Sequence, residues 1–468
     1  MAEFSVTAGR DDMSLLMRPI LDLHEDTVLT VDARRAKPVD MSAPRKSARL
    51  MQWDLNVARD MHRPGQVLVY AVSGDHSVPL YTADLGGSPR GKDEIISFVQ
   101  GRFAEPGPND DYTDSPYEYN LADARFGRLF TGLRLHPEQE EFATVHAQYA
   151  AVTNEPRDVK TRHSAQPTSG RRELTNFFPG FDVNRLIAKA PFHRAEHYLA
   201  SGLRWTSNMV QGSRETGDLD FMLFEDDWHV YQPGRHYHQP RWSQAVFGPH
   251  FRQLHDHSIG PDRGVKRRGD RFTAEIDMFL DSAPGHQSVL KSIQSQFRLY
   301  RGGQLIKDWP VFYGGGAVDL PPEAAIYRLE ATVSPPVSQI STTVTTAWTF
   351  RSGHVDGTQA VALPLLDVRY RPDLDEHNQA RPGNGYTIPV EISRQPGTGT
   401  AVIAEITVEA SYDDGKTWHT APLAQDGAHW LATVDNPAGG TVSLRTRAKD
   451  TDGNELEQTT IHAYLVNN

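Results

Sequence analysis

An all-β chain of tandem β-sandwich domains is the fold this sequence predicts, on three observations. Short runs rich in β-branched and aromatic residues recur along all 468 residues, and such residues suit a pleated, half-buried surface. Turn dipeptides separate these runs, and 37 glycines with 31 prolines punctuate the chain too densely for long helices. The C-terminal quarter repeats strand and turn at the even spacing of a small sandwich.

Three domains follow. Residues 1–152 read as a β-sandwich, with strands over 27–31 (TVLTV), 66–72 (QVLVYAV), 94–99 (EIISFV) and 144–149 (TVHAQY). Residues 153–355 read as a β-rich middle domain, jelly-roll or sandwich-like, opening on a polar linker or long loop over 154–172. Its strands include 296–300 (QFRLY) and 342–350 (TTVTTAWTF). The best helical patterns in the chain, 185–203 and 285–293, also fall here. Residues 356–468 read as a fibronectin type III-like or immunoglobulin-like β-sandwich, with strands near 402–410, 430–434, 442–448 and 461–466.

One hairpin in this last domain is marked by SYDDGKTW, residues 411–418, which fits the Asp-box pattern Ser/Thr-x-Asp-x-Gly-x-Thr-Trp. In the run before it, Ala404, Ile406, Val408 and Ala410 alternate with Glu405, Thr407 and Glu409, the period of a half-buried strand. Asp413 can accept turn amides, Gly415 takes a positive φ cheaply, and Trp418 can fold over the hairpin. A propeller would repeat the box once per blade, and no second copy occurs. Ser411, Asp413, Gly415 and Trp418 are therefore expected to staple a single hairpin.

Bulk properties exclude several function classes. The net charge of −12 with no long basic tract disfavours nucleic acid; the densest basic stretch, 263–271 (RGVKRRGDR), is expected to be a solvated loop. With no cysteine there is no disulfide, thiolate metal site or cysteine nucleophile. No apolar run reaches membrane-spanning length. The first residues, MAEFSVTAGRDD, lack the basic start and apolar core of a signal peptide.

The candidate chemistry is thin. Gly-x-Ser-x-Gly is absent, and only scraps such as Thr168-Ser169-Gly170 and Gly74-Asp75-His76 approach the parts of a serine triad. No catalytic or cofactor-binding residue is expected. Of 20 histidines, His229, His236, His238, His250, His255 and His257 fall close together. On strands, His236 with His238 and His255 with His257 would share a face and could hold zinc, but Pro233, Pro240 and Pro249 favour a solvated loop. Asp450-Thr-Asp-Gly-Asn454 begins like a calcium loop, yet position 12 is Ile461, so a hairpin turn is expected. No cofactor is therefore expected, with weak calcium or zinc binding as the alternative. Carboxylate pairs Asp110-Asp111 and Asp226-Asp227 lie in turn-rich stretches. Trp228, Tyr231, Tyr237 and Trp242 could form a sugar platform, although core or rim packing is the commoner use.

Several stretches together resemble the non-catalytic, β-rich C-terminal region of large actinobacterial subtilisin-like (S8 family) serine peptidases. They are DARRAKPV from Asp32, SPYEYNLA from Ser115, YQPGR from Tyr231 with Trp242 and FGP from Phe247, WTFRS from Trp348 with LPLL from Leu363, and the box hairpin with its Asp452-Gly-Asn turn. The resemblance implies an extracellular accessory region that lacks the Ser/His/Asp triad and is not itself an enzyme. The catalytic half and the exporting segment would lie upstream of Met1. Such a region would stabilise the catalytic domain or hold polypeptide substrate. Two alternatives stand beside it: an extracellular carbohydrate or cell-surface binding module, whose partner is polysaccharide, and a metal-dependent hydrolase using the His229–His257 loop.

Overall fold

The computed structural model describes residues 2–6, 12–21, 23–63, 66–87, 91, 94–108, 111–153, 155, 157–170, 187–213, 218–225, 227–238, 241–251, 263–289, 294–310, 315–427 and 429–468. Among them the chain is built of strands, with two short 3-10 turns and no α-helix. The all-β, multi-sheet expectation is met. No helix among these residues is long and apolar enough to cross a membrane.

The N-terminal half is a stack of three sheets. Its middle layer is a seven-stranded central sheet in the order His236–His238, Phe142–Tyr149, Phe192–Leu199, Tyr117–Phe126, Ile95–Ala104, Arg49–Asp60, Val67–Gly74. A five-stranded sheet that includes Met13–Arg18 and Leu80–Asp84 lies against one face, where Leu15, Met17 and Leu80 pack on Trp53, Leu55, Ile95 and Val99. A second five-stranded sheet covers the other face, in the order Ile187–Lys189, Asp158–Pro167, Leu203–Gly212, Leu219–Glu225, His286–Val289. Strand Ile95–Ala104 is consequently buried at every position.

The C-terminal half shares one long sheet. Strands Gln304–Pro310, Gln294–Arg301, Ala325–Ser334, Thr343–Ser352, Glu455–Val466, Gly440–Asp450, Ile403–Ser411 and His419–Ala421 follow one another across it. A four-stranded sheet with Arg271–Glu275 and Gly264–Arg268 packs on one end, stacking Phe272 on Phe350. A second four-stranded sheet, in the order Leu366–Tyr370, Gly383–Arg394, His429–Asn436, Leu423–Asp426, packs on the other. In chain order Leu366–Tyr370, Gly383–Arg394, Leu423–Asp426 and His429–Asn436 fall in one sheet, and Ile403–Ser411, His419–Ala421, Gly440–Asp450 and Glu455–Val466 in the other.

Several expectations need correction. The sheets cross the domain boundaries placed at 152 and 355. The central sheet takes Phe192–Leu199 and His236–His238 from beyond residue 152, and Thr343–Ser352 pairs directly with Glu455–Val466. The 154–172 linker contains the ten-residue strand Asp158–Pro167, paired along its length with Leu203–Gly212. The 185–203 helix is instead strands Ile187–Lys189 and Phe192–Leu199, and the described part of 285–293 is strand His286–Val289. Residues 27–31 form no strand, and Val28 is 94% exposed. The 263–271 stretch is a hairpin rather than a solvated loop. Arg267 is fully buried there, donating to the carbonyls of Gly269 and Pro321 and to Asp270.

Candidate functional site

The densest group of ionisable side chains lies between the central sheet and its covering sheet. Strand alternation aims Arg102, Glu118, Arg194, Glu196 and Tyr198 from three neighbouring central strands at one face. Thr161, His163 and Ser207 approach from the covering sheet. All these side chains are buried, and Glu118 is fully so. Glu118 Oε1 accepts from Arg102 Nε at 2.8 Å, and Arg102 Nη2 also donates to the Thr161 carbonyl at 2.8 Å. Glu196 Oε1 accepts from Tyr149 at 2.8 Å and from Arg194 at 3.1 Å; Glu196 Oε2 accepts from Tyr198 at 2.7 Å.

His163 completes the group. Its Nδ1 lies 2.8 Å from the Tyr198 hydroxyl and 2.9 Å from Ser207 Oγ, while its Nε2 faces Glu118 Oε2 at 3.3 Å and Glu196 Oε1 at 3.7 Å. Because the Tyr198 proton is committed to Glu196, His163 Nδ1 is the donor toward Tyr198. Burial alone would raise the Glu118 carboxyl, but Arg102, His163 and Arg194 outweigh it and hold it well below the ordinary carboxylate range. Burial and Glu196 push Tyr149 and Tyr198 well above the ordinary phenol range, so both stay neutral donors.

Glu118, His163 and Glu196 bring three ligand atoms within 4.8 Å of one another, the reach of a metal ion. The chemistry of the donor set argues against a cation. Two guanidiniums already neutralise the two carboxylates, and Glu196 Oε1 is occupied twice. The arrangement is a buried ionic lock between sheets. Two surface recesses, of about 580 and 310 Å³, include none of its residues.

None of these residues was singled out in the sequence. The signal that could have found them is the polar alternation Arg194-x-Glu196-x-Tyr198, which has the period of a strand and no apolar inner face.

The solvated loop expected around the histidines is, at residues 236–238, a paired strand. His236 and His238 do lie on a strand, sharing a face, and both are exposed. His255 and His257 lie outside the described residues, as do Asp110 and Asp226. The structure adds His146, absent from the sequence-based set, because His236–His238 pairs in parallel with Thr144 to His146. His146 Nε2 is 3.0 Å from His236 Nδ1, and its ring stacks near both His236 and His238. The other two histidines turn to acids: His229 Nε2 lies 3.2 Å from Glu225, and buried His250 contacts Asp367 at 2.7 Å.

Trp228, Tyr231 and Trp242 are buried, and Tyr237 is partly buried against Tyr231. Trp242 stacks between Tyr149 and His286 rather than facing a sugar.

The box hairpin is tied internally. Asp413 accepts from Ser411 Oγ, Thr417 N and Thr417 Oγ1 at 2.7–2.8 Å. Trp418 donates to the Gly415 carbonyl at 2.9 Å and lies beneath the Arg445 guanidinium, 4.4 Å from the ring centre. In the Asp450–Asn454 turn, Asp450 accepts from Asp452 N and Asn454 N, and Arg394 bridges Asp450 and Asp452 at 2.6 Å, where a calcium ion would have to compete with it.

No protein-family model matches the chain, and no curated protein matches it.

Proposed function

We propose that this chain is a non-catalytic accessory region of a secreted subtilisin-like peptidase that engages extended polypeptide along a sheet edge. The ordered resemblance to such regions supports the class. The observation that carries the binding mode is strand Val67–Gly74, VLVYAVSG, the last strand of the central sheet among the described residues. It has eight residues, no charge and no proline, and Leu68 and Val69 are each 41% exposed. Sheet edges are ordinarily blunted by lysine, proline or a bulge. An edge without these devices suits addition of a strand, with main-chain hydrogen bonds for affinity and side-chain contacts for selectivity. The ionic lock supports the non-catalytic half of the reading, since its acids and histidine are buried.

The test uses the full chain with casein as an extended polypeptide. Casein should bind without being cleaved, and no serine should label with a fluorophosphonate. Val69→Lys should weaken binding by about tenfold or more, a loss of about 1.4 kcal/mol, with the unfolding midpoint unchanged. Absence of binding, or equal binding by Val69→Lys, refutes the edge. Casein cleavage or serine labelling refutes the non-catalytic assignment.

A further inference from the structure

We infer that His146, His236 and His238 form a surface site for a divalent transition-metal ion of imidazole preference, zinc in the first instance, which clamps strand His236–His238 to strand Phe142–Tyr149. The site lies on the face of the central sheet opposite the ionic lock. It is independent of the polypeptide edge, which is at the other end of that sheet.

Geometry is the main support. Two nitrogens bound to one tetrahedral zinc, each at about 2.0–2.1 Å, stand roughly 3.3 Å apart. His146 Nε2 and His236 Nδ1 are already 3.0 Å apart, on strands held in register by the Thr144–His236 and His146–His238 pairs. The third imidazole, His238, stacks on His146 with ring centres 5.0 Å apart. It is exposed, and its ring must turn from this stack to bring a nitrogen within reach of the ion. Water supplies the fourth ligand, as in open sites with three protein ligands.

The bond would also do structural work. Strand His236–His238 is three residues long and meets its neighbour across 90 residues of chain. Cross-linking two points so far apart in sequence restricts the unfolded chain more than a local link does.

The experiment is zinc titration of the untagged full chain by calorimetry at pH 7.5, with thermal unfolding in parallel. One equivalent should bind and raise the unfolding midpoint. His146→Ala and His236→Ala should each weaken binding by about tenfold or more, and His238→Ala should weaken it less. His429→Ala, an exposed histidine elsewhere, should change nothing. Because His236 is on the surface, circular dichroism of His236→Ala should match the parent. Absence of saturable binding overturns the proposal. So does binding retained in the His146→Ala/His236→Ala double variant, which would place the metal elsewhere.

Discussion

The Trp348 indole donates to the Leu366 carbonyl at 2.7 Å, from a side chain only 1% exposed. The bond joins the long sheet to the first strand of the sheet that faces it. Trp348→Phe keeps an aromatic ring in the core but leaves a buried carbonyl without its donor, which should cost about 1–3 kcal/mol. Trp348→Ala adds a cavity and should cost about 3–5 kcal/mol. Urea unfolding of the full chain measures both, and equal midpoints for the parent and Trp348→Phe would contradict the role given to this bond.

The same region bears on whether the last sandwich folds alone. Residues Glu455 to Ile461 pair with Thr343 to Thr349, so the terminal sandwich shares its sheet with the preceding strands. A fragment of residues 356–468 should therefore unfold at a lower temperature than the corresponding part of the full chain, having exposed the inner edge of strand Glu455–Val466. Extending the fragment back to residue 294 should restore the midpoint. A fragment as stable without residues 294–355 would show that the sandwich is self-sufficient.

Glu118→Gln tests the ionic lock. Removing one charge leaves Arg102 buried without its partner, and breaking a buried pair in this way costs about 3–5 kcal/mol at pH 7. The carboxyl is held below its ordinary value of 4.5 when folded. Below pH 4.5 the unfolded chain therefore binds a proton that the folded chain refuses. The stability Glu118 contributes is fully present above pH 4.5 and is lost as pH falls below it. The gap between parent and Glu118→Gln should narrow over that acid range, measured as unfolding free energy against pH. A gap that stays constant below pH 4.5 would mean that Glu118 is not ionised in the fold.

The lock also explains where the sequence was legible. Strands such as Thr343–Ser352 and Ile403–Ser411 have one apolar and one polar face, so their alternation marks them. Phe192–Leu199 does not, because its Arg194, Glu196 and Tyr198 face inward, bonding one another and the distant Thr161, His163 and Tyr149. With partners that far away in the chain, an inner face of charges reads as the surface of a helix. Asp158–Pro167 hides for the same reason, presenting Thr161 and His163 to the lock. The histidine face was half legible. The spacing of His236 and His238 is local, whereas His146 joins them only through a parallel strand pairing that residue spacing does not encode.

The box hairpin provides the last prediction. Trp418 is half-buried under Arg445, and its loss removes both apolar contact and a cation–π pair, about 1–3 kcal/mol together. Asp413 lies at the surface, and its carboxyl is lowered to about 2 chiefly by Thr417, then by Ser411. Its removal frees the amide and hydroxyl of Thr417, which water can reach, so Asp413→Ala should lower the midpoint less than Trp418→Ala does. Gly415→Ala should be costly for a different reason. Gly415 has φ +82°, and an added Cβ would sit 2.9 Å from Ile461 Cδ1 on strand Glu455–Val466. All three variants should leave casein and zinc binding unchanged, because the hairpin belongs to a different sheet from strands Val67–Gly74 and His236–His238. Thermal unfolding ranks them. Unchanged midpoints with loss of casein binding would move the box from a structural staple to a binding site.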